Sequence, residues 1–240
     1  MNRTVTEKEK FRHELKYIVP EIDLRAVERR VCRVLRPDAH ADPNGEYLIR
    51  SVYFDDYRRS CYYDNEDGVD PRAKFRIRIY NYSDTRISLE KKRKSRSMTG
   101  KLSCRIDRDT CEKMLRGESI HDRLGRHPLL DEWIILNETA RFLPVMLGEY
   151  VRKPYVYRLG NVRITFDRFI CASPQVTRLF ERDISRVMVL PTAYHVLEVK
   201  YDDFLPDVIY QLIENGHMIQ TAFSKFFLGC KAIGGNVCEL

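Results

Sequence analysis

The sequence predicts an α+β fold: an eight-stranded antiparallel β-barrel, closed on itself and braced by helices. Three observations lead there. First, charged and polar residues stand two apart in five separate segments: Arg12, Glu14 and Lys16; Arg76 and Arg78; Glu90, Lys92 and Lys94; Arg163, Thr165 and Asp167; Glu198 and Lys200. Second, residues such as Leu15, Phe75, Ile77, Ile164, Phe166, Leu197 and Val199 fill the alternate positions. Successive strand side chains point to opposite faces, so each segment has one charged and one apolar face. Third, these strands are spread over the whole chain, with helical stripes between them. A sheet over a single core would put such charges in water. A closed barrel with a charged lumen and an apolar outside under helices accommodates all three observations.

The elements follow in order. The first strand is read at 11–19. Pro20 opens a helix over 21–35, striped by Leu24, Val27, Val31 and Val34 or Leu35. A loop at 37–45 precedes a strand at 47–54. Residues 58–72, with Asp-Gly and Asp-Pro, read as a polar connection. Strands at 73–82 and 86–94 pair through a Ser-Asp-Thr turn, and 101–106 continues the second strand after a Thr99-Gly100 turn. Asp107 or Asp109 caps a helix ending at Gly117, and 128–140 forms another. Strands resume at 144–151 with 155–157, at 162–169 and at 195–201. A helix at 206–214 stops at Gly216, and a last short one occupies 224–230. No internal repeat or low-complexity linker interrupts this order. The expected organisation is a flexible stretch over 1–10, one domain over 11–231 and a tail over 232–240.

Composition narrows the function. The chain has 240 residues, 43% of them hydrophobic, with 14 Tyr and 11 Phe, which excludes a disordered polymer. A formal net charge of +7 favours an anionic partner. Seven cysteines, an odd number without a CxxC pair, argue against a disulfide framework and a zinc site. The polar N-terminus has no signal-peptide core, and no apolar run approaches about 18 residues, so a cytoplasmic chain without a membrane span is expected. The basic residues alternate into strands instead of lining an outer face with exposed aromatics, so no nucleic-acid partner is expected.

Arg76 and Arg78 are the sharpest pair. Two guanidiniums projecting in parallel from one strand each offer a planar fork to phosphate oxygens, against the plainer reading of a solvated face paired with acids. The run Glu90 to Arg96 starts within a strand. It places Lys92 in the lumen, turns Lys91 and Arg93 outward and carries Lys94 onward past the rim. Glu198 is either a counter-ion for Lys200 or a ligand for Mg²⁺ or Mn²⁺. His13, His195 and His217 read as structural. The P-loop, the dinucleotide-binding glycine motif, the nucleophile elbow and the zinc-deaminase signature are all absent.

The segments RHELKYIV, YLIRSVYFDD, KFRIRIYNY, LEKKRK, YVRKPY, VRITFD, LEVKY and FSKFFLG occur in the order of the VTC (vacuolar transporter chaperone) domain. The chain resembles that family, within the triphosphate tunnel metalloenzyme superfamily, over about residues 11–231. The resemblance implies a polyphosphate polymerase that moves the γ-phosphate of ATP onto growing inorganic polyphosphate with a divalent metal, Mn²⁺ or Mg²⁺. It implies phosphate-binding roles for Lys16, Arg76, Arg78, Lys92, Arg152 and Arg163, a metal role for Glu198, and a Ser-Lys pair at Ser224 and Lys225. Lys200 joins the phosphate-binding set. A hydrolase of triphosphate or nucleoside triphosphate, a non-catalytic polyphosphate binder, and a membrane-protein partner all stay open. Two departures stand out. Arg12 replaces the first Glu of the triphosphatase branch's Glu-x-Glu-x-Lys, and Ala222 replaces a Lys carried by some polymerases.

Overall fold

A computed structural model describes residues 10–214, 216 and 218–234. The chain runs β1 (Arg12–Pro20), α1 (Glu21–Val31), β2 (Arg36–Pro37), β3 (Tyr47–Asp55), α2 (Ser60–Glu66), β4 (Arg72–Tyr80), β5 (Ser83–Ser95), β6 (Met98–Ile106), α3 (Arg108–Leu115), α4 (Pro128–Ala140), β7 (Leu143–Tyr157), β8 (Val162–Ser173), β9 (Val187–Met188), β10 (Tyr194–Tyr201), α5 (Asp207–Ile213) and α6 (Lys225–Gly234). Eight long strands pair in the cyclic order β7-β3-β4-β5-β6-β1-β10-β8, and β8 returns to β7. Every pairing is antiparallel. The short β2 and β9 add to β7 and β8. Closure removes the exposed strand edges an open sheet would carry. The thinnest seam lies between β1 and β6, which share the pairs Arg12 with Thr99 and His13 with Met98.

Helices cover the apolar outside. Phe75, Ile77, Leu89 and Ile106 pack with Met114 of α3 and with Leu130, Trp133 and Ile134 of α4. On the other side Ile164, Phe166, Leu197 and Val199 pack with Leu24, Val27 and Val31 of α1 and with Ile209 and Ile213 of α5. Each such side chain removed from water is worth about 1.5–3 kcal/mol. Arg50 breaks the pattern. It is fully buried on the outer face, paired with Glu149 at 2.5 Å, and it donates to the carbonyls of Arg178 (3.2 Å) and Leu179 (3.0 Å). That guanidinium staples the 178–181 loop to the barrel.

The connections differ from expectation in four places. The β4–β5 turn is Asn81-Tyr82, both at positive φ, with Tyr80 opposite Ser83. A two-residue hairpin needs that backbone to match strand twist, so Ser-Asp-Thr begins β5 instead of forming the turn. Arg96 and Ser97, also at positive φ, reverse the chain earlier than Thr99-Gly100. Residues 98–106 are therefore a separate strand, with Gly100 paired to Arg93. The connection after β3 contains α2. Finally, 143–157 is one strand with Pro154 inside it. The Pro154 carbonyl accepts from Asp38 N at 3.1 Å, toward the gap between the partners β3 and β2. Its missing N–H there costs no ladder bond. Residues 1–9, His217 and 235–240 lie outside the described residues, and with them most of the expected flexible start, the structural reading of His217 and the end of the tail. Among the described residues no helix is long and apolar enough to cross a membrane, and the six cysteines are free.

Candidate functional site: a charged lumen

Strand register sets opposite charges against each other across the lumen wall. Glu14 faces Lys200, Lys16 faces Glu198, Arg76 faces Glu90 and Arg152 faces Asp167. A cavity of about 650 Å³ opens among these strands. Lys16 of β1, Arg76 and Arg78 of β4, Lys92 of β5, Arg152 of β7, and Glu198 and Lys200 of β10 line it, with Ser224 and Lys225 at the start of α6. The lumen is charged over part of its length only. Two residues on from Lys16 and two before Glu198, Ile18 and Val196 pack with Ile49, Tyr150 and Phe223.

The acids are shared. Glu14 lies 2.9 Å from Lys16 and 2.8 Å from Lys92. Glu198 lies 2.7 Å from Lys200, 3.6 Å from Arg152 and 3.7 Å from Lys16. Asp167 accepts a two-pronged pair from Arg152 at 2.6 and 2.8 Å and meets Lys225 at 2.6 Å. Glu90 meets Arg76 at 2.6 Å, Lys101 at 3.2 Å and Arg78 at 3.8 Å. Each carboxylate thus serves two or more cations, and the lumen keeps an excess of positive charge. Burial alone would push the Glu14 carboxyl up; Lys16, Lys92 and Lys200 overcome it and hold it at about 2. Burial likewise opposes ionisation of Glu198, which Lys200, Lys16 and Arg152 keep well below the usual carboxylate range. Glu90 is held down in the same way by Arg78 and Arg76.

Two phenols complete the arginine pair. Arg76 donates to Tyr53 Oη and Arg78 to Tyr150 Oη, each at 3.3 Å, and Arg78 also reaches Ser51 Oγ at 3.2 Å. Burial would raise the Tyr53 phenol, but the charges of Arg76 and Arg78 lower it.

The start of α6 reaches the lumen through a strap. Lys16 Nζ donates to Phe223 O at 2.8 Å, and Thr221 N donates to Lys16 O at 2.8 Å. Ser224 Oγ then accepts from Phe227 N at 3.2 Å, and Lys225 Nζ sits 4.6 Å from the Tyr150 ring centroid. Ala222 lines the cavity here.

Arg163 does not join this group. It donates to Tyr47 Oη and pairs with Asp38, each at 2.7 Å, with its side chain one-third exposed, and it is absent from the cavity wall. Alternation gave its face correctly, but depth along the barrel separates it from the rest. Lys94 departs in the other direction. β5 runs on to Ser95 and pairs Lys94 with Arg72 and Thr99, so Lys94 lines the cavity instead of passing the rim. Lys91 faces outward to Glu132 of α4. His13 stacks on Tyr201 with centroids 4.9 Å apart, and His195 is buried against Glu21 at 2.5 Å.

Asp167, Tyr53 and Tyr150 contact the deep cations, and Lys74 lines the cavity beside them, without having been singled out for it. Lys74 was legible, because it stands two residues before Arg76 on the same face. The phenols carried no signal, since aromatic residues are ordinary strand formers.

Among the described residues no group of three or more His, Cys, Asp or Glu could by itself hold a metal. The donor chemistry nonetheless fits a hard cation. Mg²⁺ is commonly held by one or two carboxylates plus substrate phosphates. Glu14 and Glu198 both turn into the cavity, and Glu198 Oε1 is buried with ion-pair neighbours but no well-formed hydrogen bond.

The chain resembles solved structures of low sequence identity. A putative adenylyl cyclase from Hippeastrum, HpAC1, described as having a dominant triphosphatase activity, superposes with a TM-score of 0.55 at 13% identity, over 93% of this chain and 96% of that one. A putative adenylate cyclase from Bacillus halodurans gives 0.48 at 12% identity, over 80% and 81%. The mimivirus capping enzyme triphosphatase gives 0.38 at 9% identity, over 88% and 92%. The first of these likenesses supports the barrel fold and nothing finer. No curated protein sequence matches the chain. The family model of the VTC domain matches residues 11–233. With that match over nearly the whole closed barrel, the chain belongs to the VTC domain family.

Proposed function

We propose that this chain is a polyphosphate polymerase that transfers the γ-phosphate of ATP onto a growing inorganic polyphosphate within its lumen. The observation that carries this reading is the sharing of each buried carboxylate among several cations around one cavity, in a member of the VTC family. Such a lumen is already balanced enough to fold and still short of negative charge. A polyanion supplies the rest.

Phosphoryl transfer asks for positioning and charge stabilisation more than covalent help. Arg76 and Arg78 present parallel forks to the transferring group. Lys16, Lys92, Arg152, Lys200 and Lys225 hold the donor and acceptor phosphates, with Ser224 as a hydroxyl donor, so that the reacting atoms lie in line. The acceptor phosphate oxygen is already ionised, so no side chain need remove a proton from it. Glu198, with Glu14 beside it, would hold Mn²⁺ or Mg²⁺. Bound there, the ion supplies further neutralisation of phosphate charge. Arg163, held by Asp38 and Tyr47 away from the cavity, is left outside the phosphate set. Residues 11–231 are taken as the catalytic unit.

The test is incubation of the purified chain with γ-labelled ATP and Mn²⁺ or Mg²⁺, followed by separation of long polymer from orthophosphate. Label in polymer supports the reading. Label only in orthophosphate makes the protein a hydrolase, and binding without any turnover makes it a non-catalytic module.

A further inference from the structure

One end of the cavity wall sets cation directly against cation. Across the β4–β5 ladder Arg72 faces Lys94 and Lys74 faces Lys92. All four side chains line the cavity. Like charges directly opposite each other on a sheet are destabilising, and only Lys92 of the four has a carboxylate, Glu14, within ion-pair reach among the described residues. Lys74 is partly buried, yet its ammonium is met by neutral groups. It donates to Asn65 Oδ1 of α2 and to Ser224 Oγ at 3.0 Å, and it lies 5.0 Å from the Phe226 ring centroid. Arg72 donates to the Val69 carbonyl at 2.7 Å. This contrasts with the deeper lumen, where Arg76, Lys16, Arg152, Lys200 and Lys225 all touch acids.

We propose that Lys74, with Arg72 and Lys94, forms a second phosphate subsite that holds the extended polyphosphate chain, separate from the deep set around Arg76 and Arg78. Partly buried cations facing one another without counter-ions are costly, and an anion restores the balance. Lumen-facing residues two apart on a strand repeat at about 7 Å, so the two cation pairs span more than one phosphate and favour an anion with charge repeated along its length. Ser224 Oγ, in contact with Lys74, joins this subsite to the deep one. Burial, then the charges of Arg72 and Lys16, push the Lys74 ammonium down to about 7, as expected of a cation awaiting an anion. The identity of the anion as polyphosphate rests on the proposed function.

Calorimetric titration of the full chain with triphosphate and with long-chain inorganic polyphosphate tests this, for wild type, Lys74→Met, Lys74→Arg and Lys94→Met. Lys74→Met is expected to lose affinity for the long chain by about tenfold, the scale of one lost charged hydrogen bond, while triphosphate affinity moves less than about twofold. Lys74→Arg is expected to keep the long-chain affinity. If Lys74→Met fails to fold, Lys94→Met reads the same comparison. Equal losses for both ligands, or no loss for either, would overturn the subsite. Product analysis with labelled ATP bears on the polymerase reading alone. A chain that makes only orthophosphate yet shows the length-selective loss sinks that reading and keeps the subsite.

Discussion

Glu90→Gln isolates the role of the lumen acids as internal counter-ions. Glu90 is 2% exposed and touches Arg76, Lys101 and Arg78. Glutamine keeps its size and one acceptor but leaves two buried guanidiniums without their shared charge. Breaking a buried pair from one side costs about 3–5 kcal/mol. For a domain of this size, about 2–4 °C per kcal/mol puts the fall in Tm at roughly 6–20 °C. Triphosphate should then act as the missing anion. A ligand at a hundred times its Kd stabilises by about 2.7 kcal/mol, and by more where affinity has risen. Thermal unfolding of wild type and variant, each with and without saturating triphosphate, measures both terms. The gap in Tm is expected to be wide without ligand and to narrow with it. A ligand-free variant as stable as wild type, or a gap that stays constant with triphosphate, would refute the reasoning.

The other predictions concern turnover, metal and pH. Arg76→Ala or Arg78→Ala should cut turnover by about 10²–10³, the range seen on removing one charge-stabilising donor, while circular dichroism stays that of the folded barrel. Full activity or unfolding in both variants contradicts the lumen assignment. Glu198→Gln should lose metal-dependent turnover but still bind triphosphate without metal; an unchanged metal response makes Glu198 only a partner of Lys200. The Lys74 ammonium is depressed to about 7 from 10.5, so between those values the unfolded chain holds a proton that the native chain lacks. Stability of the ligand-free protein from this group should therefore rise with pH across that window, and Lys74→Met should flatten the rise in Tm. A slope unchanged by the substitution would count against the partly buried, uncompensated ammonium.

Much of this architecture was legible because one periodicity carried two messages. Alternation in Lys16, Arg76, Arg78, Lys92, Glu198 and Lys200 showed both strand and lumen face, since each charged side chain needs the same face as its counter-ions. What the pattern could not carry was depth. Arg163 and Lys200 lie opposite each other in the register, yet Asp38 and Tyr47 hold one away from the cavity that the other lines. Turns were less legible because Tyr82 and Arg96 occupy left-handed backbone that their side chains do not advertise. α2 was missed for a related reason. Its N-cap, Arg59, is left-handed and makes no cap, while Asp55 and Asp56 accept from the amides of Ser60, Cys61 and Tyr62. The strap at 220–224 depends on Lys16, about two hundred residues away, and such a contact leaves no local trace.

The charged lumen is proposed to be a polyphosphate site. A crystal structure of the full chain with triphosphate and Mn²⁺ tests it most directly. Phosphate density is expected inside the barrel, contacting Arg76, Arg78 and Lys16, with the metal at Glu198. Triphosphate bound only on the outer surface, with the lumen ion pairs unchanged, would contradict it.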